Sequence, residues 1–155
     1  MTGAGVRIVD GNAFDVEAVM SVMKASFDPA YGEAWTTPQC AGLLPLPGVW
    51  LTLAMMGEEP LGFALGRLVS DEAELLLLAV RQDHQKEGIG RSLLNAFSQK
   101  AVAKGARTLH LEVRDGNPAV TLYSSSGFFE VGRRRNYYTG GNGKMFDALT
   151  LLKRV

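Results

Sequence analysis

The sequence predicts a mixed α/β fold: a central sheet, mostly antiparallel with one parallel stretch, carrying helices on both faces. Three observations lead there. Val49 to Met55 and Leu61 to Val69 are strand-like runs joined by the turn Gly57-Glu58-Glu59-Pro60, which makes an antiparallel hairpin. Leu75 to Val80 is apolar without alternation, the pattern of a strand covered on both faces. That run is followed by the clearest helical pattern and then by another strand, so the sheet turns parallel around the helix.

The elements follow in order. Val6 to Val9 alternates as a first strand and ends in the turn-prone Asp10-Gly11-Asn12. Phe14, Val16, Val19, Met20, Val22 and Met23 recur at helical spacing and predict a helix up to about Phe27. Asp28 to Pro47 reads as irregular, with a short helix between Thr37 and Leu44. After the hairpin, Ser70-Asp71 turns the chain into the strand Glu72 to Val80. Ile89, Leu93, Phe97 and Ala101 then repeat every four residues, with Gly105 placed to end that helix after Lys104. Thr108 to Arg114 alternates Leu109, Leu111 and Val113 against His110 and Glu112. Asn117-Pro118 is a helix start, Asn as cap and Pro in first position. That helix closes at Gly127. Phe128 to Arg134 and Phe146 to Leu152 close the sheet, joined by a mobile glycine-rich loop, Thr139 to Lys144.

Composition narrows the function classes. The chain has 155 residues, 16 basic and 16 acidic side chains, and is expected to form one domain, 1–155. A net charge of zero supplies no overall attraction to nucleic acid or to an anionic membrane. The lone Cys40 cannot form an internal disulfide, and with two separated histidines no metal cluster can be assembled. Leu75 to Val80 is far too short to span a bilayer, and Met1 to Val9 lacks the apolar stretch of a secretion signal. The expected setting is therefore the cytoplasm, and the expected assembly a monomer or weak homodimer.

The segment Gln85-Lys86-Glu87-Gly88-Ile89-Gly90-Arg91 joins the most apolar strand to the best helix. Glycines there let the backbone approach a ligand closely. The first helical turn leaves N–H groups unpaired and carries a partial positive charge, which suits an anion such as phosphate. Lys86 and Arg91 add to that charge; Glu87 subtracts from it. Two glycines alone fit a plain tight turn equally well. The motif is not a dinucleotide fingerprint, since Leu93 stands where the third glycine belongs, and it is not a P-loop.

Several segments in fixed order add to this loop. Leu78-Ala79-Val80 precedes it; Leu111-Glu112-Val113-Arg114, Asn117-Pro118-Ala119 and Leu122-Tyr123-Ser124-Ser125-Ser126-Gly127-Phe128 follow. Together, Leu75 to Gly132 resembles the GCN5-related N-acetyltransferase (GNAT) superfamily. Leu-Glu-Val-Arg, Ala-x-x-Leu-Tyr and Gly-Arg-Arg-Arg-Asn-Tyr-Tyr look most like RimI-type protein N-terminal acetyltransferases. The resemblance implies the acyl-CoA N-acyltransferase fold with a splayed parallel strand pair. It implies acetyl-CoA held by the backbone of Leu78, Ala79 and Val80, by Gln85, Lys86, Glu87, Gly88, Ile89, Gly90 and Arg91, and by Asn117. It implies Glu112 as general base and Tyr123 as general acid, with no metal. Glu87 departs from the subgroup, which often has a basic residue there, and should weaken the pull on the phosphates.

The chemistry suits these side chains. An α-amine with pKa ~7.7–8.0 is about a tenth or more neutral near pH 7, whereas a lysine at ~10.4 is far costlier to deprotonate. One carboxylate thus suffices for an N-terminus. A phenol can protonate a departing thiolate. Each residue also has a plainer account: Glu112 as the solvent side of a strand, Tyr123 as packing, Asn117 as a cap. At the acceptor end, the resemblance places Tyr137 and Tyr138 beside the acceptor's first residues, with Glu33 and Trp35 as the opposite wall. The arginine run before them is otherwise strand-end solvation, and Trp35 is otherwise partly core. His84 and His110 have no evident partners, and Cys40 reads as a small buried hydrophobe. The implied reaction is direct transfer from acetyl-CoA to a protein or peptide N-terminus, and the RimI resemblance implies a ribosomal protein with an N-terminal alanine. The competing readings are a small-molecule amine acetyltransferase and a non-catalytic CoA-binding module.

Overall fold

The computed structural model describes residues 5–155; residues 1–4, part of the Met1 to Val9 stretch discussed above, lie outside it. In chain order the elements are β1 (Val6–Gly11), α1 (Val16–Ser26), α2 (Thr37–Leu43), β2 (Val49–Met56), β3 (Glu59–Val69), β4 (Glu72–Val80), α3 (Ile89–Ala103), β5 (Thr108–Arg114), α4 (Ala119–Ser125), β6 (Phe129–Thr139) and β7 (Met145–Arg154). All the strands form one seven-stranded sheet in the order β1-β2-β3-β4-β5-β7-β6. Every neighbouring pair is antiparallel except β4–β5.

Helices cover both faces. α1 packs on β3 and β4 and buries Val19, Val22 and Met23 in one cluster. α3 lies on the opposite face, where its four-residue stripe of Ile89, Leu93, Phe97 and Ala101 sits with Leu94 in the larger cluster. Burying each large member of that stripe contributes on the order of 1.5–3 kcal/mol. α1 starts later than the periodicity suggests. Asn12 caps a short 3-10 turn, Ala13–Asp15, and Phe14 points outward at 96% exposure instead of joining the apolar stripe. α4 starts as expected: Asn117 Oδ1 accepts the Ala119 N–H at 2.9 Å, with Pro118 already in helical geometry.

The decisive irregularity is in β4. Its pairing with β3 shifts register between Leu65 and Gly66, so that Leu76 is an extra residue. Before the bulge, Ala73 and Leu75 face α3; after it, Leu78 and Val80 face α3 while Ala79 turns toward α1. An extra residue reverses the alternation and sharpens the twist. The parallel pairing with β5 stops at the same place, running only from Glu72↔Thr108 to Leu75↔Leu111. Beyond it the two strands part, and the β5-facing backbone of the end of β4 has no strand partner.

The closing hairpin differs from the expectation. β6 continues to Thr139 and takes in Arg135 to Tyr138. The following loop, expected to be mobile, is pinned: Gly140 N–H donates to Lys144 O at 2.8 Å and Gly141 N–H to Pro29 O at 2.9 Å. Gly32 and Gly140 let the two backbones touch. A Cβ on Gly32 would run into the Thr139 carbonyl, and one on Gly140 into the Ala30 carbonyl. Gly140→Ala, whose φ is not left-handed, is therefore expected to destabilise the protein by about 2 kcal/mol through overpacking alone. Urea unfolding, with faster amide exchange at residues 29–32, is the check.

Candidate functional site

Two cavities flank the parted strand ends. The larger, about 530 Å³, is lined by Leu78, Ala79, Val80, Gln85, Lys86, Gly88, Gly90, Arg91 and Asn117 among others. Of the residues expected there, only Glu87 and Ile89 are outside the lining. Ile89 is core, 1% exposed. Glu87 turns aside, its Oε1 3.3 Å from His84 Nδ1, so the carboxylate that departs from the family pattern faces a histidine. His84 thus has a carboxylate within reach, and His110 Nε2 lies 3.9 Å from Glu74 Oε1, beyond hydrogen-bond distance.

The mouth of α3 is open. Gly88 caps it in the left-handed region (φ 84°), and no side chain accepts from its first-turn N–H groups. A missing cap costs about 1 kcal/mol, less than one buried member of the α3 stripe contributes, so the helix holds with its amides free. Lys86 is also left-handed (φ 63°), a strained conformation for a residue with a Cβ. Gln85 braces the loop, its Nε2 donating to Val80 O at 3.2 Å. Arg91 is oriented from α4, donating from Nη2 to Ser125 Oγ at 3.0 Å.

The smaller cavity, about 330 Å³, brings together Glu33, Trp35, Glu112, Asn117, Tyr123, Tyr137 and Tyr138. Trp35 both lines this cavity and packs on the α1-side core. The two cavities share Phe27, Glu33, Leu78, Asn117 and Tyr123, so they meet at the Tyr123 ring.

Glu112 is not a solvent-facing strand residue: its side chain is 15% exposed. Arg134 Nε lies 2.8 Å from its Oε2, near enough for an ion pair but not aligned as a hydrogen bond, leaving that oxygen otherwise unpartnered. Burial raises the Glu112 carboxyl above its ordinary range, with Arg134 pulling the other way and Glu74 adding to the rise. Tyr123 is 5% exposed, set edge-on to Phe128. Burial, then the neighbouring Tyr138 and Glu33, push its phenol well above the usual value, so it keeps its proton at neutral pH.

Adjacent strand residues normally point to opposite faces, yet Tyr137 and Tyr138 both reach the smaller cavity. A wide bulge does this. Between Arg134↔Ala148 and Tyr138↔Phe146, three residues of β6 oppose Asp147 alone. Asn136 takes a left-handed φ of 53°, a conformation asparagine tolerates, and its N–H donates to Asp147 Oδ1 at 3.0 Å. Arg133 ties Asp147 to Asp115 at 2.9 and 2.8 Å. The basic run is thus structural at Arg133 and electrostatic at Arg134.

Sequence reasoning missed three partners. Arg67 pairs with Glu74 at 2.8 Å, both lining the smaller cavity. Arg134 faces Glu112. Arg114, 7% exposed, holds Glu33 at 3.0 Å, while Asn117 Nδ2 donates to the other Glu33 oxygen at 2.8 Å. The only sequence signal for the last was an arginine on the apolar strand β5. Among the described residues, no group of three or more His, Cys, Asp or Glu side chains can hold a metal ion, and no helix is long and apolar enough to cross a membrane.

Known proteins resemble this chain in sequence and fold. The profile of the Acetyltransferase (GNAT) family matches residues 16–128. The [ribosomal protein bS18]-alanine N-acetyltransferase of Escherichia coli (strain K12) is 45% identical over 83 residues, 53% of this chain and 56% of that protein, so the match spans little more than half of the relative's length. The crystal structure of the ribosomal-protein-S18-alanine N-acetyltransferase from Escherichia coli superposes with a TM-score of 0.85 at 29% identity, covering 97% of this chain and 94% of that one. Ard1 from Thermoplasma volcanium gives 0.82 at 25% identity over 98% and 99% of the two chains.

The environment of Glu112 makes a checkable statement. Removing the opposing cation in Arg134→Gln should raise the Glu112 carboxyl pKa further, as seen in a carboxyl-carbon NMR titration; an unchanged or lower value would contradict the ion pair.

Proposed function

Because the chain belongs to the Acetyltransferase (GNAT) family, we propose that it is an acetyl-CoA-dependent N-acetyltransferase that acts on the α-amino group of a protein N-terminus. The observation that carries this reading is the meeting of two cavities at Tyr123, with Glu112 on the wall of one and the open mouth of α3 on the wall of the other.

The larger cavity suits a long phosphorylated thioester. Free first-turn amides, a left-handed Gly88 and the cations of Lys86 and Arg91 make a site for a diphosphate. The β5-facing edge of β4 from Leu78 to Val80, which has no strand partner, offers ladder-like bonds to an amide-containing arm. When bound, acetyl-CoA supplies the acetyl group as an activated thioester.

The chain's own residues do the rest. Glu112 takes the proton that the acceptor nitrogen must lose, and its raised carboxyl brings it nearer to the amine's own range. Arg134 pulls the other way and restrains that rise. Tyr123 holds its proton at Oη until a departing thiolate takes it, although burial makes the phenol a weaker acid than usual. Tyr137 and Tyr138, turned inward by the bulge, supply hydroxyls to the acceptor backbone. Glu33 and Trp35 form the facing wall, and together these walls keep water from the reacting atoms.

The acceptor belongs to the same proposal. The E. coli relative is a ribosomal protein bS18-alanine N-acetyltransferase, and similarity to it supports a ribosomal protein with N-terminal alanine, met in the cytoplasm. A carboxylate base such as Glu112 favours an α-amine over a lysine, because far more of the α-amine is already neutral.

Glu112→Gln and Tyr123→Phe should each lower kcat/KM on an alanine-led peptide by about 10²–10⁴-fold while CoA binding by calorimetry is retained. The acid limb of the kcat/KM profile should lie above the ordinary carboxylate range, since Glu112 must be ionised to act and burial raises its pKa. Turnover of a lysine or small-amine panel in preference to N-terminal peptides would overturn the acceptor assignment. CoA binding without turnover of any amine would overturn the enzyme.

A further inference from the structure

One buried ion pair takes no part in the proton transfers. Arg114 and Glu33 have side chains only 8% and 10% exposed and meet at 3.0 Å, although 81 positions separate them. The guanidinium is fixed on every side. Its Nη1 donates to Asp115 O at 3.3 Å, and its plane lies over the Tyr31 ring at 3.7 Å, with Phe146 of β7 at 5.7 Å. Tyr31 and Phe146 meet edge-on at 5.3 Å. Glu33 in turn has both oxygens occupied, one by Arg114 and one by Asn117 Nδ2. Asn117 Oδ1 accepts the first N–H of α4, the helix that carries Tyr123. Arg114 itself stands two residues beyond Glu112 on the same face of β5.

A buried pair of this kind is poor value as a stabiliser. Several kcal/mol of desolvation per ion offset the attraction, and apolar residues of the same volume often stabilise as well or better. What apolar residues cannot do is hold both oxygens of one carboxylate in place. Lysine would keep the charge but has neither the planar fork nor the stacking face that Arg114 uses.

We propose that Arg114 is a positioning residue for the acceptor. Through Glu33 and Asn117 it sets the wall formed by residues 28–36 at a fixed place relative to Tyr123, so that acceptor capture depends on it. The proposal rests on the acetyltransferase reading and deepens it: the wall facing Glu112 is held in register by the strand that carries Glu112.

Two variants and one exchange measurement test it. Arg114→Lys should stay folded and raise the KM for an alanine-led peptide about tenfold or more with a smaller change in kcat. The double variant Arg114→Met, Glu33→Gln removes both charges, so it should recover stability lost to an unpaired buried ion yet keep the raised acceptor KM. Amide exchange at residues 28–36 should quicken in the double variant while that of α3 does not change. A double variant with wild-type acceptor KM would show the pair to be merely structural and overturn the proposal. Unchanged exchange at residues 28–36 would overturn it whether or not any amine is turned over. A wild-type protein inert toward every amine, with the exchange change present, would instead sink the acetyltransferase reading.

Discussion

The site depends on one break in pairing: β4 and β5 are hydrogen-bonded neighbours up to Leu75 and Leu111 and part beyond them. A parallel pair held along its full length would close the sheet where the cavities now lie. The extra residue Leu76 prevents that by bending β4 and reversing its alternation. The cost is a run of backbone groups without ladder partners. Such groups are expensive to leave dry and unmet, which makes the parted end a place that a ligand with its own amides can complete.

The two sides of that break are built from different materials. On the side of α3 the recognition groups are backbone: the β4 edge and the uncapped first turn, with Lys86 and Arg91 at the margin. On the side of α1 they are side chains brought from five separate stretches: Glu33 and Trp35, Arg67, Glu74, Glu112, and Tyr137 with Tyr138. The electrostatics differ accordingly. A helix mouth offers a fixed partial charge that side-chain changes barely touch, and Glu87 shows it by swinging to His84 without entering the cavity. Glu112 has its character set by neighbours, burial raising its carboxyl and Arg134 restraining the rise.

This division also explains what could be read from the sequence. The succession of strands and helices, the α3 stripe, the loop from Gln85 to Arg91 and the Asn117 cap are written in local patterns, and the segment order around them carried the family resemblance. Glu112, Tyr123, Tyr137 and Tyr138 were legible through that resemblance, and by residue pattern alone Glu112 was a surface position. The rest is non-local. Nothing near Leu76 announces a bulge. The inward turn of two consecutive tyrosines requires Asp147, which lies on the next strand. Glu33 finds Arg114 and Asn117 across 81 and 84 positions, through a close approach of backbones that only Gly32 and Gly140 permit. A loop that looked mobile from its glycines is pinned by the same glycines, because the absence of a side chain serves contact as well as freedom.

On the reading proposed above, a backbone-built cofactor side and a side-chain-built acceptor side have consequences for how specificity can change. Substitutions around the α3 loop leave the amides in place as long as the glycines remain, so that half tolerates surface variation such as Glu87. The acceptor half has no such buffer. Its wall is carried by a loop that is anchored at two glycine contacts and one buried ion pair, and its tyrosines hang on a single carboxylate, Asp147. A change in any of these moves a wall relative to Glu112 and Tyr123, and a displacement of about 1 Å is enough to lose two orders of magnitude in a reaction that depends on alignment. On that reading acceptor choice is set by the residues that hold the lining in place as well as by the lining itself, and those supports are spread along the chain from Gly32 to Asp147.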